Sequence, residues 1–204
     1  MSIKRLFIAN RGEIAVRIVR AAKSLGIHTI QAHSDADAEM LAVRMADEAV
    51  CIGPAQAGKS YLNVEAVVRA AQEAKADAVH PGYGFLAESP RFARAVEEAG
   101  MIFVGPSADT IQSMGDKVSA RQAAETAEVP VVPGSDGRVD DMEDAAQIAE
   151  RIGYPVMIKA SAGGGGRGIR IAETPEDLKK LAPQARQEAE AAFGDGGIYI
   201  EKVI

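Results

Sequence analysis

The chain has 204 residues, of which 47% are hydrophobic and 25% charged, a composition that supports one large or two small globular domains. Its formal net charge of −6 argues against nucleic acid or an anionic membrane surface as the main partner. A single cysteine, Cys51, excludes an internal disulfide, and we expect it to be buried as a small hydrophobic residue. No apolar run approaches the roughly 18 residues of a membrane span and none resembles a signal peptide, so a cytoplasmic protein is expected.

The first hundred or so residues alternate between short strand-like runs and helical patterns. RLFIAN predicts the first strand, and the N-x-x-E spacing of Asn10 and Glu13 predicts a capping box for the helix that follows and ends at Gly26. Further strands are expected at IHTIQAHS, AVCIG, DAVHP and MIFVGP, with helices at 38–45, 63–75 and 90–99. This order predicts an α/β fold with a doubly wound parallel sheet.

A second unit is expected to begin after residue 105. Ser107 and Asp116 are expected to cap two successive helices, which end near residues 115 and 128, and VPVVPGSDG then predicts a hinge. Beyond the hinge we expect a small α+β unit, with a long helix that starts after Thr174 and strands at YPVMIKAS, GIRIAE and GIYIEKVI. The chain stops inside the last of these strands, which suggests a cut in a longer protein.

Four consecutive glycines, Gly163, Gly164, Gly165 and Gly166, lie between two of the predicted strands. Ordering so much glycine costs backbone entropy, so this segment is either a flexible spacer or a loop whose N–H groups approach a large anion. Strand alternation places Lys159 opposite its apolar neighbours, and a lysine beside free backbone donors suits a polyphosphate. Neither the phosphate-loop pattern nor the dinucleotide fingerprint fits the chain. A solvated lysine beside a mobile hairpin tip stays open as the alternative.

Lys117 follows the expected helix cap, at the positive end of a helix, where a cation costs roughly 0.3–1 kcal/mol. The residue is tolerable there if it is exposed, and useful if an anion binds beside it. Taken alone, Lys117 is more simply explained as an exposed surface lysine.

Four stretches, IANRGEIAVRI, HPGYGFLAES, GPSADTIQSMGDKVSAR and GYPVMIKASAGGGGRGIRI, together resemble the biotin carboxylase component of biotin-dependent carboxylases, which belongs to the ATP-grasp superfamily. The resemblance covers the whole chain. It implies a Rossmann-like N-terminal domain over 1–115, the start of the ATP-grasp core with a linker over 116–130, and the ATP-grasp lid over 131–204, which stops before the C-terminal catalytic portion.

The resemblance also implies a nucleotide site. Lys117 and Lys159 would contact the ATP phosphates, and the glycines at 163–166 would close over them. The residues that would bind adenine form a hinge made by Glu201, Lys202 and the backbone of Val203 and Ile204. Tyr83 resembles a residue near biotin, with a packed turn aromatic as the alternative. Arg17 and Arg20 resemble residues near the dimer contact of the family, although helix-surface arginines account for them equally well.

The implied reaction has two steps: ATP phosphorylates bicarbonate to carboxyphosphate, whose CO₂ is then transferred to biotin on a carrier protein. In the family the magnesium-binding and catalytic groups lie in a C-terminal domain, so no catalytic or metal-ligating residue is assigned in this sequence. The implied ligands and partners are ATP, magnesium, bicarbonate, biotin on its carboxyl carrier protein, a carboxyltransferase and a second copy bound through the N-terminal domain. We expect this chain alone to be inactive. The alternatives are a non-catalytic binding or assembly module and another ATP-grasp ligase, similar to carbamoyl-phosphate synthetase.

Overall fold

The computed structural model describes residues 2–115, 117–160, 169–194 and 196–204. The chain divides into two compact units, Met1–Asp116 and Lys117–Ile204, and each unit is built around a sheet of its own. Over the described residues, no helix combines the length and the apolar character that a membrane crossing requires.

The first unit contains a five-stranded parallel sheet. Its strands are β1 (Arg5–Ile8), β2 (His28–Ser34), β3 (Glu48–Gly53), β4 (Ala78–His80) and β5 (Ile102–Phe103), in the order β3-β2-β1-β4-β5. Its helices are α1 (Gly12–Ser24), α2 (Leu41–Met45), α3 (Val64–Glu73), α4 (Pro90–Glu98) and α5 (Ala108–Gly115). The predicted α/β fold with a doubly wound parallel sheet is confirmed.

Strand alternation gives this sheet a hydrophobic core on each side. Phe7 belongs to a cluster with Val67 of α3 and Phe92 of α4, and all three side chains are at most 1% exposed. Ile8, the next residue of β1, belongs to a second cluster with Val19 of α1. Helices cover both faces, so the central strand β1 is apolar at every position after Arg5.

The predicted capping box of α1 is wrong. The residue that precedes this helix is Arg11, and no side chain caps the helix end. The amide nitrogen of Asn10 instead donates to the carbonyl oxygens of Pro81 and Tyr83, at 2.6 and 2.8 Å. Asn10 is only 3% exposed, so its amide must find partners inside the fold, and the turn after β4 supplies two acceptors.

The expectation that Cys51 is buried is also wrong. Cys51 lies on β3, which is the edge strand of the sheet, and its side chain is exposed. The Sγ atom lies 3.1 Å from Oδ1 of Asp35. The sequence AVCIG does not reveal an edge strand, because an edge and a central strand have the same local pattern.

The second unit contains a three-stranded antiparallel sheet with helices. Its elements are α6 (Lys117–Thr126), α7 (Met142–Ile152), β6 (Val156–Ala160), β7 (Arg170–Ala172), α8 (Pro175–Phe193) and β8 (Ile198–Lys202), and the strand order is β7-β6-β8. The predicted start of the long helix is confirmed: Thr174 and Asp177 form a reciprocal capping box. Ala149 of α7 and Leu178 of α8 pack against Ile158 and Ile200, so both helices cover the same face of the sheet.

Replacing Asn10 by serine distinguishes the bridge that it forms from a helix cap. Serine caps helices about as well as asparagine, but it is too short to reach the carbonyls of Pro81 and Tyr83. We therefore expect both Asn10→Ser and Asn10→Ala to lower the free energy of unfolding by about 1–3 kcal/mol, because two acceptors lose their donor. Urea denaturation measures this difference. A serine variant as stable as the wild type would contradict the bridge.

Candidate functional site

The sheet of the second unit has one covered and one partly open face. Along β6, Val156, Ile158 and Ala160 are buried and alternate with half-buried Met157 and Lys159, as the sequence predicted. On β8, half-buried Tyr199 and Glu201 alternate with buried Ile198 and Ile200. The antiparallel register pairs Lys159 with Tyr199 and Met157 with Glu201, so these four side chains share the partly open face.

Lys159 and Glu201 form an ion pair on this face. They are diagonal neighbours on adjacent strands, a separation that long side chains span easily. The Nζ atom of Lys159 donates a hydrogen bond to Oε2 of Glu201, and the two side chains remain 36% and 29% exposed. The structure thus brings together two residues that the resemblance assigns to opposite ends of ATP. A pair with this much solvent contact contributes at most about 1 kcal/mol, so a ligand can replace either partner at low cost.

An apolar strip lies beside this ion pair and was missed in the sequence analysis. Ile171 of β7 pairs with Met157, which in turn pairs with Glu201, so the three side chains form a row across the sheet. Ile171 is 48% exposed, and Ile169, just before β7, is 44% exposed. The signal was present in the sequence: alternation in YPVMIKAS and GIRIAE places Met157 and Ile171 on the same face as Lys159.

The end of β8 lies between two prolines. The N–H of Lys202 donates to the carbonyl of Pro133 at 2.7 Å, and the N–H of Val203 donates to the carbonyl of Pro155 at 3.2 Å. Hydrogen-bonded residues of an antiparallel pair normally exchange two bonds, but proline has no N–H to return. Pro133 and Pro155 therefore donate no ladder hydrogen bond to the backbone carbonyls of Lys202 and Val203. Because the N–H of Val203 already donates to Pro155, the backbone group of Val203 that can bind a ligand is its carbonyl.

Two of the predicted site features lie partly or wholly beyond what the structure describes. The glycines Gly163, Gly164, Gly165 and Gly166 lie outside the described residues, as does Asp116. Lys117 is the first residue of α6, and only its backbone is described. Ile204 is 95% exposed at the end of the chain, directly after the two carbonyls at the end of β8.

A second group of candidate residues lies at the carboxyl edge of the first sheet. The chain order reverses at β1, and ligands of open α/β sheets bind where the strand order reverses, beyond the carboxyl ends of the strands. Tyr83 follows β4 at this edge and is 62% exposed, so the alternative of a packed turn aromatic is wrong. Its hydroxyl donates to the carboxylate of Glu13, which raises the pKa of Tyr83.

A polar cluster at the same edge was not predicted. The guanidinium of Arg11 lies 5.8 Å from the ring centre of Tyr61 and 6.0 Å from that of Phe85, and it pairs with Asp37 at 3.3 Å. Asp37 also accepts hydrogen bonds from Tyr61 at 2.9 Å and Ser34 at 2.8 Å. Burial raises the pKa of Tyr61 to about 12, so its hydroxyl stays protonated and donates. These residues come from separate segments, and only the fold brings them together.

Arg17 and Arg20 line an open groove of about 570 Å³ between α1 and α2. Val16, Met40 and Leu41 supply its apolar surface, and Leu41 is 49% exposed. Arginine beside exposed apolar side chains is a composition that protein interfaces favour.

His80 fixes the turn that carries Tyr83. Its ring nitrogen Nδ1 accepts a hydrogen bond from the N–H of Gly82 at 3.0 Å, which requires the neutral ring. Burial lowers the pKa of His80. Within the described residues, no group of three or more His, Cys, Asp or Glu side chains could hold a metal ion.

The lowered pKa of His80 predicts a pH dependence of stability. Histidine titrates at about pH 6.5 in the unfolded chain and at a lower pH in the folded one, so the unfolded state binds more protons. We expect the free energy of unfolding to decrease as the pH falls below about 6.5. In His80→Asn, whose carbonyl can accept the bond from Gly82, this part of the decrease should vanish. Chemical denaturation at pH 7.5 and 5.5 measures both proteins, and parallel pH profiles would contradict the assignment.

Known proteins resemble this chain along its whole length. Biotin carboxylase 1 of Bacillus subtilis is 55% identical over 202 residues, which are 99% of this chain and 45% of that protein. The mitochondrial propionyl-CoA carboxylase alpha chain of Homo sapiens is 52% identical over 200 residues, 98% of this chain and 28% of that protein. The chain thus spans less than half the length of these relatives.

Solved structures give the same result. The biotin carboxylase–β-γ-ATP complex from Campylobacter jejuni has a TM-score of 0.86 at 47% identity, and the match covers 100% of this chain and 46% of the chain in that structure. The biotin carboxylase domain dimer of Hydrogenobacter thermophilus 2-oxoglutarate carboxylase, in complex with MgADP, ADP and bicarbonate, has a TM-score of 0.83 at 49% identity, with 100% and 45% covered.

Two protein-family models match consecutive parts of the chain. The ATP binding domain of the carbamoyl-phosphate synthase L chain matches residues 116–204. The N-terminal domain of biotin carboxylase matches residues 2–111, which are 110 of the 204 residues. With both units of the fold accounted for and relatives at about half identity, the chain belongs to the biotin carboxylase family.

Proposed function

We propose that the second unit of this chain binds the nucleotide of an ATP-dependent biotin carboxylase. The observation that carries the proposal is the partly open face of its sheet, where the Lys159–Glu201 ion pair lies beside the strip of Met157 and Ile171. The relative from Campylobacter jejuni, described as a β-γ-ATP complex, supports a nucleotide as the ligand of this face.

Each part of this face matches a part of ATP. A purine ring is flat and apolar on its faces, and it can pack on Met157 and Ile171. Its exocyclic amine can donate to the carboxylate of Glu201 or to a carbonyl at the end of β8, where Lys202, Val203 and Ile204 form the hinge. The Nζ atom of Lys159 then exchanges Glu201 for a phosphate oxygen, a charge-assisted bond.

The remaining phosphate contacts are assigned to Lys117 and to the glycines at 163–166. Lys117 lies in the first turn of α6, where the positive end of the helix attracts anions. Backbone N–H groups of consecutive glycines can line a concave anion site, because no side chain blocks their approach. Together with Lys159, these groups would neutralise the phosphate charge during transfer.

We propose the domain division 1–115, 116–130 and 131–204, with a Rossmann-like domain first and the ATP-grasp lid last. In this division Tyr83 lines the biotin site, and the groove with Arg17 and Arg20 forms a contact with a second copy, for which the dimer from Hydrogenobacter thermophilus is the precedent. We place the magnesium ligands and the catalytic groups in the part of the relatives that this chain does not span. A cytoplasmic location stays a prediction.

The reaction proposed for the whole protein begins when ATP phosphorylates bicarbonate and yields carboxyphosphate and ADP. Carboxyphosphate releases CO₂ and phosphate, and the biotin N1 nitrogen, carried by the biotin carboxyl carrier protein, loses its proton to the released phosphate and takes up the CO₂. A carboxyltransferase then receives the carboxyl group. Bicarbonate and MgADP accompany the relative from Hydrogenobacter thermophilus, which supports these two ligands for the family.

A second candidate is an ammonia-using ligase of the carbamoyl-phosphate synthetase kind. The match of residues 116–204 to the ATP binding domain of the carbamoyl-phosphate synthase L chain favours it. Both candidates use ATP and bicarbonate, so they differ in the acceptor. Assaying the longer protein for ATP hydrolysis with bicarbonate plus biotin, and separately with bicarbonate plus ammonia, distinguishes them. A response to ammonia alone would contradict the biotin assignment.

The nucleotide site is tested by titrating Mg-ATP into this 204-residue chain in a calorimeter. We expect saturable binding, and we expect Lys159→Met to weaken it about 10- to 100-fold, because a charged hydrogen bond to phosphate is lost. The matched control is Lys179→Met, which removes an exposed lysine of α8 on the other side of the sheet. Equal affinity of the Lys159→Met variant and the wild type would contradict the site.

The placement of the catalytic groups has a separate test. If they lie in the portion that this chain does not span, the 204-residue chain should show no bicarbonate-dependent ATP hydrolysis with free biotin, whereas the longer protein should. Release of ADP or phosphate measures both rates. Clear turnover by this chain would overturn the placement.

A further inference from the structure

The side chain of Lys202 binds the protein rather than projecting as a free cation. Its Nζ atom donates to the carbonyl oxygens of Gly153 and Tyr154, at 2.9 and 2.8 Å. Both carbonyls belong to the turn that joins α7 to β6. Two acceptors on consecutive residues hold one ammonium, and hydrogen bonds from a charged donor are stronger than neutral ones.

We propose that Lys202 is a positioning residue, whose ammonium fixes the end of β8 to this turn and so sets the position of the backbone carbonyls that receive the amine of the base. The resemblance places Lys202 in the hinge through its position in the strand. The structure assigns a separate task to its side chain, which acts through the backbone and does not contact the nucleotide.

The turn is shaped to hold the ammonium. Gly153 ends α7 with φ +78°, and its N–H closes the helix by donating to Ala149 at 2.9 Å. A side chain at Gly153 would be strained at this φ, and its Cβ would lie 3.7 Å from Nζ of Lys202. The carbonyls at the end of a helix have no helical partner, so a lysine from β8 supplies the donor that they need.

The ammonium completes a set of three attachments at the strand end. On one side of the strand the N–H of Lys202 donates to Pro133, and on the other side the N–H of Val203 donates to Pro155. The side chain of Lys202 donates to the turn that precedes Pro155. Because Pro133 and Pro155 cannot donate in return, the carbonyls of Lys202 and Val203 are acceptors with a fixed position. Without the ammonium, Lys202 and Val203 are held to the flanking segments by the one backbone hydrogen bond that each N–H donates.

A fixed carbonyl discriminates between purines. Adenine carries an amine where guanine carries a carbonyl, so an acceptor held at this position accepts a hydrogen bond from the first and repels the second. The discrimination depends on how firmly the strand end is held, since a mobile carbonyl can move away from the wrong base. This part of the inference rests on the proposed nucleotide site, whereas the attachment of the strand end does not.

Amide hydrogen exchange of the 204-residue chain tests the attachment without nucleotide. In Lys202→Met we expect the amides of residue 202 and Val203 to exchange about tenfold faster or more, because the loss of a charged donor frees the strand end. Lys202→Arg, whose guanidinium can still donate to both carbonyls, should keep most of the protection. Lys179→Met is the control and should match the wild type. Unchanged exchange at both amides in Lys202→Met would overturn the proposal.

Titrations with ADP and with GDP test the role in base selection. We expect the wild type to prefer ADP, and we expect Lys202→Met to reduce this preference about tenfold while Lys179→Met leaves it unchanged. A preference that stays constant while the amides exchange faster would overturn the role in base selection and leave Lys202 as a stabilising residue only. If the wild type binds neither nucleotide, the proposed nucleotide site and the base selection are overturned together, and the exchange rates alone decide the attachment.

Discussion

The candidate nucleotide site depends on the register between β6 and β8. Val156, Ile158 and Ile200 must face the helices α7 and α8, and this requirement fixes the pairing of Met157 with Glu201. A slip by one residue would turn Glu201 toward the apolar core and Ile200 toward solvent, so the burial of apolar side chains excludes it. The hydrophobic core of the second unit therefore places Lys159 and Glu201 on the same side of the sheet.

Both units use one side chain to hold a turn beside a candidate site. In the first unit the amide of Asn10 donates to the carbonyls of Pro81 and Tyr83. In the second unit the ammonium of Lys202 donates to the carbonyls of Gly153 and Tyr154. In each case the donor lies at the end of a strand or just beyond it, and the acceptors belong to a turn distant in sequence. Such contacts fix loops that lack the regular hydrogen bonds of helices and sheets.

The two units differ in how their sheets meet solvent. The parallel sheet of the first unit is covered on both faces, so its candidate ligand contacts lie at the carboxyl edge, around Tyr83. The antiparallel sheet of the second unit leaves one face partly open, and Lys159 and Glu201 lie on that face. Antiparallel sheets tolerate an exposed face because their strands alternate between apolar and polar residues. The chain spans less than half of the relatives that it matches, so these two surfaces lie within only part of the length of those proteins.

The sequence by itself determined the family, the fold class and most element positions. The helix over 142–152 and the capped start of α8 after Thr174 follow from local periodicity and capping residues, which need no tertiary contact. The alternation along β6 likewise predicted the face on which Lys159 lies.

Only the tertiary structure decided which partners the polar side chains take. Asn10 has the spacing of a helix cap, yet it bonds a turn more than seventy residues away, because a buried amide takes the acceptors that the fold brings within reach. Cys51 is exposed because β3 is an edge strand, which strand order decides and local sequence does not. Similarly, the pairing of Lys159 with Glu201 and the use of the Lys202 ammonium inside the protein arise from contacts between residues more than forty positions apart. Local propensity acts over a few residues, whereas hydrogen-bond partners depend on which distant segments the packed core brings together.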